Sequence, residues 1–385
     1  MYMRKVKITD FAEVITGGTP STSVPEYWED GDIPWLQSGA CQNCIISDCG
    51  TFITKAGLDN SAAKMMKPDS VLIALTGATT GKVGYLTFDA CANQSVTGIQ
   101  PNERFVSKYL YYYLLGIRQK ILDDSYGGAQ KHISQGYVKN IEVPLGTIYE
   151  QQEIVDRFDR VDKLISLRKQ VLRALDDIIK ARFVEMFGDP LHSEKGWPSL
   201  VLCEACSSIF GGGTPSKSHP EYFTGTIPWV YPKDMKSDVI RDSIDHITEE
   251  AINNSTTNLV PINSVLMVIR SGILKHSLPV AINSVPVTIN QDMKAFIPGK
   301  LILTEYLMYY FKAIESDVLS GVRGVTADNI DFKAFQQRTI IIPPMDMQNQ
   351  FAAFVSQVDK SKVVVQKALD EAQLLFDSLM QKYFG

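Results

Sequence analysis

Two long segments of the chain repeat apolar residues at three- and four-residue intervals, with no glycine or proline to interrupt them. The first runs from about Glu150 to Phe187 and stops at Gly188-Asp189-Pro190; the second runs from about Met347 to Phe384, just before Gly385. That spacing puts one apolar face along a helix, and its heptad character predicts a coiled coil. The face of the first segment is Ile154, Phe158, Val161, Ile165, Leu172, Leu175 and Ile179, continuing to Met186. In the second it is Phe351, Val355, Val358, Val365, Leu369, Phe376 and Leu379, with Ala372 and Tyr383. Arg168, Arg182 and Lys362 break the pattern. At 1.5 Å rise, about 38 residues make a helix on the order of 55–60 Å long. Each seam needs a partner, and the other helix of the same chain is present at high effective concentration. An antiparallel pair is predicted.

Each long segment follows a stretch of shorter patterns. Apolar runs such as Val71 to Leu75 and Val265 to Ile269 alternate with turns rich in glycine, proline and asparagine, as β-strands do. Helices are predicted over Ser107–Leu122 and Thr304–Ile314; their aromatic clusters, Tyr111-Tyr112-Tyr113 and Tyr309-Tyr310-Phe311, read as core. The two stretches are copies of one another. Gly17-Gly18-Thr19-Pro20-Ser21 returns as Gly212-Gly213-Thr214-Pro215-Ser216, Pro25-Glu26-Tyr27-Trp28 as Pro220-Glu221-Tyr222-Phe223, and Ile33-Pro34-Trp35 as Ile227-Pro228-Trp229. Asn93-Gln94 returns as Asn290-Gln291, and Lys108-Tyr109-Leu110 as Glu305-Tyr306-Leu307. The predicted fold is α+β: two similar mixed α/β globular domains separated by two long helices that form an antiparallel coiled coil, a pseudo-twofold molecule. The expected boundaries are residues 1–147 and 189–345 for the globular domains, and 148–188 and 346–385 for the helices.

Composition removes some function classes. The chain has 385 residues, 45% of them hydrophobic and 21% charged, enough for two cores. No apolar run reaches the roughly 18 residues needed to span a bilayer, and the basic residues after Met1 have no apolar run behind them, so no signal peptide is expected. The cytoplasm is therefore expected. A formal net charge of −5 argues against a sequence-independent DNA binder but permits local basic surfaces. Cys41-x-x-Cys44 with Cys49, and Cys203-x-x-Cys206, look like zinc half-sites. Neither recurs: Cys203 and Cys206 fall opposite Ile8 and Phe11, and Cys41 and Cys44 opposite Met235 and Asp238. Packed thiols are expected and no metal is assigned.

Catalytic motifs fail the same comparison. Gly77-Ala78-Thr79-Thr80-Gly81-Lys82-Val83 is one residue short of a phosphate loop and has valine where Ser or Thr would hold magnesium. Pro343-Pro344 lacks the residues an amino-methyltransferase sets around its target base. No HExxH or G-x-S-x-G motif is present, and none of the five histidines recurs between copies. No catalytic residue is assigned. Two similar but unequal heads on a rigid spacer suit a target with two unequal halves, and separated half-sites on duplex DNA are such a target. A protein–protein adaptor is the alternative.

The whole chain resembles the specificity (S) subunits of type I restriction–modification systems. The resemblance rests on the Gly-Gly-Thr-Pro-Ser turn, the Tyr-Trp/Phe and Ile-Pro-Trp pair, and the loop Thr76 to Gly84. Asn93-Gln94 and Val143-Pro144 leading into Glu150-Gln151-Gln152-Glu153-Ile154 add to it. It implies that the globular parts are target-recognition domains and that the helices dock methyltransferase (M) subunits. It implies restriction/translocase (R) subunits as further partners. The partners would carry adenine methylation and ATP-dependent cleavage, with S-adenosylmethionine, ATP and Mg2+ bound there and not in this chain. A specificity component of a type II-like system is a related alternative.

Shared positions then read as scaffold, and polar loop positions that differ read as candidates for contacting DNA. In the first copy these are Thr76, Thr79, Thr80 and Lys82, with Gln130, Lys131 and His132 on a second loop. In the second copy they are Arg270, Ser271, Lys275 and His276, with Arg323 on the corresponding second loop. Lys233 and Asp234, opposite Gly39 and Ala40, form a third group. Trp35 and Trp229 recur and read as structural.

Overall fold

The computed structural model describes residues 4–128, 131–192, 195–322 and 328–385. The chain divides into two compact units, Met1–Lys169 with Gln366–Gly385, and Gln170–Val365. The long helices run over Ile148–Phe187 and Met345–Phe384, so each unit contains part of both.

In the first unit the all-apolar strand Val71–Ala74 is the centre of a five-stranded sheet, ordered Val14–Thr16, Val96–Ile99, Val71–Ala74, Val83–Leu86, Cys44–Ile46. Neighbours are antiparallel except Cys44–Ile46, which runs parallel to Val83–Leu86, and Val71 lies opposite both Ile99 and Tyr85. A continuous apolar run is what a strand covered on both faces requires. Val71 and Ile73 join the core under the helix Ser107–Gly116, while Leu72 and Ala74 join a second cluster with Leu36, Cys41 and Met66. The unit also holds a small sheet in which Ile33–Leu36 lies between Phe52–Ile53 and Cys91–Ala92.

The second unit repeats this plan. Its five-stranded sheet is ordered Cys206–Gly211, Met293–Pro298, Val265–Val268, Val280–Asn283, Val239–Ile240. The smaller sheet has four strands, Asp245–Ile247, Ile227–Val230, Val287–Ile289 and Leu259–Val260.

One predicted helix is two. Ser107–Gly116 and Arg118–Asp123 are separated at Ile117, where φ/ψ is −91/9; Thr304–Ala313 and Glu315–Ser320 are separated in the same way at Ile314. Ile121 and Val318, on the second pieces, are buried. The aromatic clusters on the first pieces are buried, as their recurrence implied.

Segments of the long helices pair within each unit. In the first, Phe158 stacks on Tyr112 (4.7 Å between centroids) and on Phe384 (5.7 Å), and Val161 and Ile165 cluster with Ala372. Arg157 donates to the Tyr383 hydroxyl and Arg168 to the Ala368 carbonyl, so the segments are antiparallel. In the second, Phe183 and Phe187 pack on Phe351, Arg182 covers Phe354, and Lys362 pairs with Asp176 at 2.6 Å, again antiparallel. Arg168 and Lys362, where the heptad breaks, thus form polar ties between helices. Of the predicted seam, Ile154, Phe158, Val161, Ile165, Ile179, Phe351, Val355 and Val358 are buried; Leu172, Leu175, Val365, Leu369, Phe376 and Leu379 are half-buried.

Candidate nucleic-acid interface

The recurring Gly-Gly-Thr-Pro-Ser turn is a scaffold. A Cβ at Gly17 would collide with the Ala92 carbonyl oxygen, and one at Gly212 with that of Ile289, so only glycine fits. The next carbonyl in each turn accepts the indole N–H of the recurring tryptophan: Trp35 donates to Gly18 at 2.9 Å, Trp229 to Gly213 at 3.1 Å. Thr19 then donates to the Gln94 side chain at 2.5 Å, and Thr214 to that of Gln291. The tryptophans are structural, and the Asn-Gln pair is fixed to the turn.

Two loops that are far apart in the sequence meet in the first unit. Gly77 and Gly81 turn at positive φ (75° and 72°), which opens the loop after Val71–Ala74. The Gly77 amide donates to the Lys131 carbonyl at 3.1 Å, and His132 bridges to both Thr76 and Tyr126. Thr80 is buried, with its one hydroxyl proton within reach of the carbonyls of Gly77 (2.9 Å) and Lys131 (2.7 Å), so it ties the loops together and is turned away from solvent. Thr79 donates to the Thr76 carbonyl at 3.3 Å, Lys82 to the Gln42 side chain at 2.6 Å, and Lys131 to the Leu122 carbonyl at the end of a helix at 2.9 Å. Tyr126 stands 60% exposed against His132. Sequence reading missed it, because no periodicity or repeat marks it.

The second unit makes the same junction with other residues. Arg270 bridges to Asn329, and the Ser271 amide donates to the Asp328 carbonyl at 3.1 Å. The Arg270 guanidinium is held by Asp292 at 2.6 Å, which Asn290 also contacts at 3.1 Å. At the equivalent places the first unit has Thr76 and Ser95. The Ser271 hydroxyl caps the short turn Gly272–Lys275, and Lys275 lies 3.9 Å from Asp328. His276 is exposed at the end of that turn. Half-exposed Arg270 is therefore aimed by a carboxylate 22 residues away, a pairing that no motif signals.

Lys233 is exposed, whereas Asp234 is committed to its own turn, accepting from the amides of Tyr231 and Ile244 at 3.0 Å each. Gln130 and Arg323 lie outside the described residues. Cys41, Cys91 and Cys206 have thiols pushed up to about 12, chiefly by burial, and Cys49 donates to the Thr51 carbonyl.

The chain thus holds two copies of a mixed domain, each with a fixed turn and a junction of loops that differs in its polar groups. Residues 2–176 and 195–372 both match the type I restriction modification DNA specificity domain, and the chain belongs to that family. It is 30% identical over 298 residues to the EcoR124I/EcoR124II specificity subunit of Escherichia coli, covering 71% of this chain and 69% of that one. To the MjaIX specificity subunit of Methanocaldococcus jannaschii it is 26% identical over 400 positions, covering 98% and 91%. The fold resembles the crystal structure of a type I restriction–modification S subunit from M. genitalium (TM-score 0.55, 14% identity, 99% and 96% covered). A second chain, solved in a study of type I complex assembly and conformational transition, gives a TM-score of 0.59 at 18% identity, with 99% and 97% covered.

Proposed function

We propose that this chain reads a bipartite, asymmetric site on duplex DNA and docks methyltransferase subunits, and with them restriction/translocase subunits. The observation that carries the reading is the loop junction: its scaffold recurs in both units, while its polar groups change from Thr76 and His132 to Arg270 and Asn329. A shared scaffold with exchanged hydrogen-bonding groups is how one domain type comes to distinguish different bases. The net charge of −5 fits contacts confined to such loops, with acidic surface left for protein partners.

Docking has its own support on the long helices. Leu164, Leu167, Leu374 and Leu375 are 44–69% exposed in the first unit, and Val171, Ile178, Val363 and Val364 are 45–69% exposed in the second. Apolar side chains left exposed along a helix outside its seam are available for protein contacts. The chain supplies recognition and no catalysis in this reading, with S-adenosylmethionine, ATP and Mg2+ acting in the partners, in the cytoplasm. No helix among the described residues is long and apolar enough to cross a membrane.

The test is methylome sequencing of a host that expresses the chain with its methyltransferase. A split motif with two different halves is expected. An unchanged methylome from an assembled complex overturns the proposal.

A further inference from the structure

We propose that a concavity beside the Gly-Gly-Thr-Pro-Ser turn of the second unit is a base-reading subsite, in which Asp245 accepts a hydrogen bond from the exocyclic amino group of adenine or cytosine. This rests on the DNA-reading function proposed above and adds a site outside the loop junction. The concavity holds about 650 Å³. It is lined by Thr214, Pro220, Phe223, Trp229, Asn290 and Gln291, together with Lys217, Tyr231 and Asp245.

The lining residues fall into two sets when the units are compared. Thr214, Pro220, Phe223, Trp229, Asn290 and Gln291 have the same or a similar residue in the first copy: Thr19, Pro25, Trp28, Trp35, Asn93 and Gln94. The ties that hold them recur as well, from threonine to glutamine and from indole to glycine. The other three lining positions change. Lys217 stands where the first copy has Thr22, Tyr231 where it has Gln37, and Asp245 where it has Thr51. Strand pairing fixes the last equivalence: Asp245 lies opposite Trp229, and the Trp35 amide donates to the Thr51 carbonyl at 2.9 Å.

The chemistry of these three residues indicates what each unit takes. Asp245 is exposed and only accepts hydrogen bonds when ionised, which suits an amino group on a base edge in the major groove. Tyr231 lines the same concavity, and its hydroxyl titrates above its ordinary value, first through desolvation and then through the nearby Asp245 carboxylate. Lys217 offers a cation for the phosphate beside the base. The concavity also adjoins the loop junction: Asn290 and Gln291 line it, and the next residue, Asp292, holds Arg270. The first copy carries no charge at the three corresponding positions, so the two units place different demands on the base.

The experiment uses the full chain assembled with its methyltransferase. Asp245→Asn and the pair Thr51→Asp with Gln37→Tyr are compared with wild type by methylome sequencing and by selection from a randomised duplex library. Asp245→Asn is expected to weaken discrimination at one position of one half-site by about tenfold, with the other half unchanged. The paired substitution is expected to move the preference for an amino-bearing base into the other half-site. An unchanged motif at every position overturns the subsite, as does a uniform loss of binding to all duplexes. A wild-type complex with no split motif instead overturns the DNA-reading function itself.

Discussion

Gln151 and Gln348 are buried polar residues at the starts of the long helices, and each fastens its helix to the globular part of its own unit. Gln151 accepts from the Val106 amide at 2.8 Å and donates to the Gly146 carbonyl at 2.9 Å. Gln348 accepts from the Leu303 amide and donates to the carbonyls of Leu301 and Pro343. Leucine at either place keeps the volume but leaves those backbone groups dry and unpaired. Each orphaned group costs about 1–3 kcal/mol, so Gln348→Leu is expected to lower the urea midpoint clearly; an unchanged midpoint would remove the glutamine from this role. Tyr112 and Tyr309 form a natural contrast. The Tyr112 hydroxyl donates to Asp159 at 2.7 Å, while the Tyr309 hydroxyl is buried with no hydrogen-bond partner among the described residues, since Ser356 replaces Asp159 in the second copy. Tyr309→Phe is therefore expected to be neutral or stabilising in thermal melts, and Tyr112→Phe to destabilise by about 1 kcal/mol.

At the scale of elements, local signals were the legible ones. The long helices and the buried strands follow from spacing and from uninterrupted apolar runs, which need only near neighbours. The loop junctions were not legible, because Thr80 and Lys131 are 51 residues apart and only the folded sheet brings them together. The same holds for Asp292, whose hold on Arg270 depends on strand order. Nor does periodicity separate a helix seam from the exposed apolar face proposed above for docking, since both are apolar. Exposure separates them: Phe158 and Ile165 are buried, but Leu164 and Leu167 on the same helix are 44% and 46% exposed. Leu164→Glu with Leu167→Glu is expected to leave stability within about 0.5 kcal/mol, as surface changes do, and to abolish co-purification of the methyltransferase. Retained co-purification would place docking elsewhere.

At the scale of the whole molecule, duplication makes the two globular parts exchangeable in principle, and the packing shows where an exchange would strain. Replacing residues 1–147 with a second copy of 189–345 sets Tyr306, Tyr309 and Tyr310 against the first unit's helix segments, where Tyr109, Tyr112 and Tyr113 now meet Phe158 and Phe384. Those contacts survive because the residue types agree. Two do not. Lys108 pairs with Asp159 at 2.7 Å beside Asp162, whose carboxyl is already pushed up by burial and then by Asp159; the copy would bring Glu305 to this place. It would lose an ion pair worth up to about 1 kcal/mol at this exposure and add a third carboxylate. Gly116 faces the Phe384 side chain, 3.1 Å from where a Cβ would stand, and the copy would bring Ala313. The plain graft is thus expected to melt below the parent chain, and a graft carrying Glu305→Lys and Ala313→Gly to recover most of the difference. With both heads alike, the methylome should report two copies of one half-site in place of two different halves. A repaired graft that folds, assembles and still yields the parental split motif would show that specificity does not reside in the globular parts.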